Sequence, residues 1–119
     1  PLHCTSMGKV LLAFAPDAQS ARLVDTVDLI RLGPNTITDR DQFRAEIATV
    51  RANGYAIADE EHETGIRAIG MPILDIGGRL RAAISVAAPA FRCSAEQLTE
   101  FLPAMRSAAD NIKILLPSS

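Results

Sequence analysis

Ile66-Arg67-Ala68-Ile69-Gly70-Met71-Pro72-Ile73-Leu74-Asp75, then Ile76-Gly77-Gly78, then Arg79-Leu80-Arg81-Ala82-Ala83-Ile84-Ser85-Val86-Ala87-Ala88, is the stretch that decides the fold. Two strand-like runs flank a Gly-Gly pair, the short-loop signal of an antiparallel hairpin. With Gly77-Gly78 as a two-residue turn, Ile76 faces Arg79 and each further pair moves one residue outward. Ile69 then opposes Val86, Met71 opposes Ile84 and Ile73 opposes Ala82, all on one face because side chains alternate. The other face pairs Ala68 with Ala87, Gly70 with Ser85 and Pro72 with Ala83. One face is bulky and apolar, the other tiny, and a slip of one residue would exchange them.

A sheet face of Ala, Gly and Ser has two physical readings. Either a helix packs closely against it, or the missing volume is a cavity that receives a small molecule. A pocket needs a few polar groups to orient its ligand. Ser85 offers one hydroxyl, and Asp59-Glu60-Glu61 with His62, just upstream, could offer others.

Outward from the hairpin, the pattern is helical on both sides. Thr5 or Ser6 caps a helix to about Ala15, and Pro16-Asp17 breaks it and opens a second with Leu23, Val24 and Val27. Leu32-Gly33-Pro34-Asn35 is a turn or loop. Thr38 caps a third helix, with Asp39 and Asp41 in its first turn, a stripe of Phe43, Ile47 and Val50, and Gly54 just past its end. Tyr55-Ala56-Ile57-Ala58 is a short strand. Ser94, with Gln97 completing a capping box, opens a long helix. Its apolar face is Leu98, Phe101, Met105, Ala108, Ile112 and Leu115, and Pro103 predicts a bend or break. Pro117-Ser118-Ser119 is a frayed tail. The order ααα-β-ββ-α indicates an α+β class.

The 119 residues predict one domain. A net charge of −2 argues against nucleic-acid binding by this chain, which needs a strongly basic face. No apolar run approaches the length of a membrane span. Cys4 and Cys93 read as reduced small hydrophobes. No GxSxG, HExxH, Walker or GxGxxG motif occurs. Glu60-Glu61-His62-Glu63 reads first as a solvated charge run and second as a metal or acid/base group. Arg67, at a strand start, reads as a salt-bridge partner of those acids or as an anion contact.

Six segments together carry a resemblance. Pro1-Leu2-His3-Cys4-Thr5-Ser6-Met7-Gly8-Lys9-Val10-Leu11-Leu12-Ala13 resembles the Pro-x-His-x-(Ser/Thr)-(Ala/Ser)-x-Gly-Lys-x-x-Leu-Ala segment of IclR-family transcriptional regulators. Thr36-Ile37-Thr38-Asp39, Arg51-Ala52-Asn53-Gly54-Tyr55, Asp59-Glu60-Glu61, Gly65-Ile66-Arg67 and Ala82-Ala83-Ile84-Ser85-Val86 follow in the family's order and spacing. The resemblance implies that residues 1–119 are an effector-binding domain with a GAF-like fold, a curved antiparallel sheet flanked by helices. It also implies truncation at the N-terminal side, with the winged helix-turn-helix and the opening helix and strands of the effector domain outside this chain.

By position, the resemblance implies ligand contacts at the Ser6 and Met7 amides, at Ala58 with Asp59 adjacent, at Ala68, and at Ser85 and Ala87. Alanine at 58, 68 and 87 departs from members that bind very small keto acids and implies a larger or less polar effector. The implied partners are a small, carboxylate-bearing effector and further copies of the chain in a homodimer or tetramer. DNA would be met only through the absent N-terminal domain, in the cytoplasm, with no membrane, metal, cofactor or catalysis. Two other functions compete: a structural dimerisation module with a vestigial pocket, and a small metal-dependent enzyme built on Asp59–His62.

Overall fold

The hairpin pairs β2 (Ile66–Leu74) with β3 (Leu80–Pro89) in the expected register: Ile69 opposes Val86, Met71 opposes Ile84, and Ala68 opposes Ala87. The computed structural model describes residues 1–117; the last two residues of the predicted frayed tail, Ser118 and Ser119, lie outside the described residues. The turn differs from the two-residue expectation. The Gly78 amide donates to the Asp75 carbonyl, the Asp75 amide donates to the Arg79 carbonyl, and Gly78 takes φ +82°. The loop is therefore Ile76–Gly78, three residues ending in the left-handed conformation that glycine adopts without strain. The Asp75 carboxylate accepts the Arg79 amide at 2.9 Å and fixes it. An odd loop alone would displace the register by one. A bulge compensates: Leu74 pairs with Leu80 but Ile73 with Ala82, so Arg81 is the extra residue.

A third strand, β1 (Ala56–Asp59), starts one residue later than Tyr55 and pairs antiparallel with the other edge of β2. Ala56 opposes Gly70 and Ala58 opposes Ala68, so β1 extends the tiny face with two more alanines.

Helices cover both faces. α1 (Ser6–Phe14), α2 (Asp17–Thr26) and α3 (Arg40–Asn53) lie on the tiny side, where Val10, Leu12, Phe43, Ile47, Val50 and Ala56 form one core. Thr5 is the cap of α1, its hydroxyl accepting the Gly8 amide at 3.0 Å. The cap of α3 is Asp39 rather than Thr38: its carboxylate accepts the Gln42 amide at 2.8 Å, a bond a charged acceptor makes well against the helix dipole.

On the bulky side the predicted long helix is two: α4 (Ala95–Thr99), with the Ser94–Gln97 capping box, and α5 (Leu102–Leu115). Pro103 falls in the first turn of α5, where a missing N–H costs nothing. The break rotates the buried stripe. Leu98, Leu102, Met105 and Ala109 pack on Ile69, Met71 and Ile73, whereas Phe101, Ala108, Ile112 and Leu115 of the expected stripe are exposed.

Candidate functional site

The first turn of α1 rests on the sheet at one point. A Cβ at Gly70 would lie 3.0 Å from the Ser6 carbonyl carbon and 3.1 Å from its oxygen. The tiny face is thus covered by a helix at Gly70, and beside that contact it is not filled. A cavity of about 280 Å³ opens there, lined by Cys4, Thr5, Ser6 and Met7 from the turn and start of α1, and by Ala58, Ala68 and Ser85 from the three strands. His62, Glu63 and Ile66 complete it, all exposed at its mouth.

Polar groups of α1 are unpaired at this cavity. Thr5 satisfies the amides of Gly8 and Lys9 through its hydroxyl and carbonyl. The Ser6 and Met7 amides have no hydrogen bond among the described residues, as the first positions of a helix require. Ser6 as a residue is 3% exposed, and its hydroxyl has no hydrogen-bond partner among the described residues either. Unpaired N–H groups at the positive end of a helix, with a hydroxyl beside them, are suited to a carboxylate.

The cavity wall is held by long-range polar contacts. Lys9 is completely buried, and its Nζ donates to Glu46 at 2.7 Å, to the Ile57 carbonyl at 2.6 Å and to Glu61 at 2.9 Å. Burial pushes the Glu61 carboxyl above its ordinary range, and Lys9 pulls it back. The Thr36 hydroxyl donates to the Glu61 carbonyl and accepts the Gly33 amide. The imidazole of His3 donates to the Ile30 carbonyl at 2.7 Å. The Glu60 carboxylate accepts the Gly65 amide at 2.9 Å, closing the loop that carries His62 and Glu63.

Of the positions expected from sequence, Ser6, Met7, Ala58, Ala68 and Ser85 come together around the cavity. Asp59 and Ala87 do not line it. Asp59 follows Ala58 in β1 and points to the opposite face, where it pairs with Arg67 at 2.6 Å. Arg67 also donates to the Ala90 and Cys93 carbonyls, so it is the salt-bridge partner of the two readings. Ala87 is exposed on β3. Cys4, Glu63 and Ile66 line the cavity without having been singled out for it. Cys4 lies 3.6 Å from His62 Nδ1, across 58 residues of sequence that carry no local signal of the pairing.

A larger groove of about 640 Å³ runs from α1 and α2 to the hairpin turn, past Leu11, Phe14, Leu23 and Leu80. Its Asp17 and Arg51 are paired with each other at 2.7 Å. Among the described residues no cluster of His, Cys, Asp or Glu is arranged to hold a metal, both cysteines are free, and no helix is long and apolar enough to cross a membrane.

Comparison with known proteins gives this architecture a context. Residues 1–114 match the family described as bacterial transcriptional regulator IclR, C-terminal. The "Probable transcriptional regulator SauR" of Cupriavidus necator is 39% identical over 112 residues, covering 94% of this chain and 44% of that protein. The inducer-binding domain of the PobR transcription factor from Acinetobacter, a double mutant solved in complex with 3-hydroxybenzoic acid, superposes with a TM-score of 0.89. It is 34% identical, covering 98% of this chain and 67% of that one. Thermotoga maritima IclR superposes at 0.87 with 33% identity, over 97% of this chain and 47% of that one. The chain spans about two-fifths of the length of the curated relatives it matches. With the match running through α1, the three-stranded sheet and both flanking helical layers, the chain belongs to the IclR C-terminal family of transcriptional regulators.

Proposed function

We propose that this chain is the effector-sensing domain of a transcriptional regulator and that its cavity receives a small organic acid. The observation that carries the reading is the pair of unpaired amides, Ser6 and Met7, opening on a cavity lined by alanines. The carboxylate sits on these amides, the body of the acid lies over Ala58 and Ala68, and the Ser85 hydroxyl contributes a hydrogen bond. The PobR complex with 3-hydroxybenzoic acid supports an acid of this kind. The effector binds one arrangement of the regulator better than another and shifts DNA affinity in proportion. DNA is contacted by a part of the regulator outside this chain, in the cytoplasm, and no substrate is turned over.

The test is a titration of the isotopically labelled domain with 3-hydroxybenzoate and benzoate at millimolar concentrations. The amide resonances of Ser6 and Met7 are expected to shift, while that of Gly77, in the hairpin turn at the far end of β2 from Ile66, stays in place. Ser6 and Met7 signals unmoved by either acid would overturn the reading.

The domain works as a homodimer or tetramer in this proposal. Ile114 and Leu115 on α5 are 77% and 82% exposed, an apolar end that self-association would cover. Sedimentation should report a species heavier than one chain, and a monomer at high concentration counts against it.

A further inference from the structure

Cys4 and His62 meet at the cavity, with Sγ 3.6 Å from Nδ1, but differ in burial. Cys4 is fully buried, whereas His62 is exposed at the mouth. Burial pushes the Cys4 thiol up, so near neutral pH the sulfur keeps its proton. A neutral thiol is a weak donor and a weak acceptor, while an unprotonated imidazole nitrogen is a good acceptor. The favoured arrangement therefore has S–H donating to Nδ1, and the other ring nitrogen then carries the proton. His62 Nε2 makes no hydrogen bond among the described residues.

We propose that His62 is a specificity-determining residue, whose Nε2–H recognises a second, uncharged acceptor oxygen on the acid, with Cys4 as the residue that positions the ring. This rests on the carboxylate reading above. Two amides and the Ser6 hydroxyl meet the needs of the carboxylate, so the His62 donor is left for a different oxygen. Glu63 lines the same mouth, and its charge disfavours a second carboxylate there while leaving a hydroxyl or carbonyl unpenalised. A volume of about 280 Å³ equals that of about nine waters. The ligand class is thus a compact carboxylic acid bearing a hydroxyl or carbonyl.

The test measures affinities of benzoate, 3-hydroxybenzoate and 4-hydroxybenzoate for the wild type, His62→Leu and His62→Gln by calorimetry. The wild type is expected to prefer the better hydroxy acid over benzoate by about fivefold to tenfold, as one neutral hydrogen bond allows. His62→Leu should erase that preference, benzoate and the hydroxy acid then binding within about twofold of each other, and His62→Gln, with a donor at the position of Nε2, should restore it. Benzoate binding is the internal control for folding. If the acids bind and the preference is absent in the wild type or persists in His62→Leu, the inference falls while the carboxylate reading stands. If no acid moves the Ser6 and Met7 amides, both fall. The role of Cys4 is read without ligand, from the imidazole nitrogen resonances above neutral pH. The Nε2–H tautomer should dominate in the wild type and give way to a mixture in Cys4→Ala, and an unchanged tautomer would overturn that role.

Discussion

Lys9→Met is expected to destabilise the domain by about 3–5 kcal/mol, the loss that follows when one partner of a buried ion pair is removed. Lys9 is fully buried, and Nζ has two carboxylates and one carbonyl within hydrogen-bond distance. Methionine keeps most of the side chain's length and apolar stem, so the change isolates the charge. Glu46 is partly exposed and can turn to water; Glu61, 7% exposed, cannot. The pH dependence gives a second readout. The Glu61 carboxyl is raised in the fold above its ordinary 4.5. The folded state therefore holds that proton more tightly than the unfolded one, and this group's stabilisation is full below about pH 4.5 and lost as pH rises through the folded value. Removing Lys9 removes the main influence pulling Glu61 down, so the folded value climbs further. The loss in Lys9→Met should then be smallest in acid and grow towards neutrality, measured by urea unfolding across that range. Adding Glu61→Gln to Lys9→Met should recover much of the neutral-pH loss. A loss independent of pH and not recovered by Glu61→Gln would show that the buried carboxylate is not its origin.

This cluster shows where sequence reading stops. The helix start at Thr5, the Ser94–Gln97 box and the hairpin faces are local signals, with periods and caps that act within a few residues. The hairpin register was legible although its turn was not, because the Arg81 bulge cancels the extra residue of the Ile76–Gly78 loop. The bulge depends on how the Asp75 carboxylate grips the Arg79 amide, which no spacing announces. The site divides the same way. Ser6, Met7 and Ala58 were legible through the family resemblance, whereas Ala68 and Ser85 also follow from strand alternation in the hairpin. Alternation also separates Asp59 from Ala58, and of the two readings of Arg67 open in the sequence the salt bridge is the one that claims Asp59. Lys9–Glu61 and Cys4–His62 join residues 52 and 58 positions apart. A lysine after glycine in an otherwise apolar helix gives no sign that it will be buried with two acids.

Ala68→Leu is expected to abolish acid binding, with a loss of affinity of at least about 100-fold, or about 2.8 kcal/mol. Ala68 is half-buried in the central strand, flanked by Ala58 and Ala87, and it lines the cavity. An isobutyl group there occupies the space assigned to the body of the acid. The fold should barely notice, because the added carbons enter a void and contact apolar neighbours such as Met7 and Ile66. A filled core would respond in the opposite way, losing about 1–3 kcal/mol to overpacking. Ala87→Leu is the matched control. It adds the same group to the neighbouring strand at an exposed position outside the cavity lining, so affinity should stay within about twofold and stability within about 0.5 kcal/mol. Thermal melts and 3-hydroxybenzoate titrations of the two variants separate the cases. Lost affinity with a retained melting temperature in Ala68→Leu alone places the ligand over this alanine. A destabilised Ala68→Leu that still binds the acid as tightly as the wild type would mean that α1 closes this space in solution and that the acid binds elsewhere.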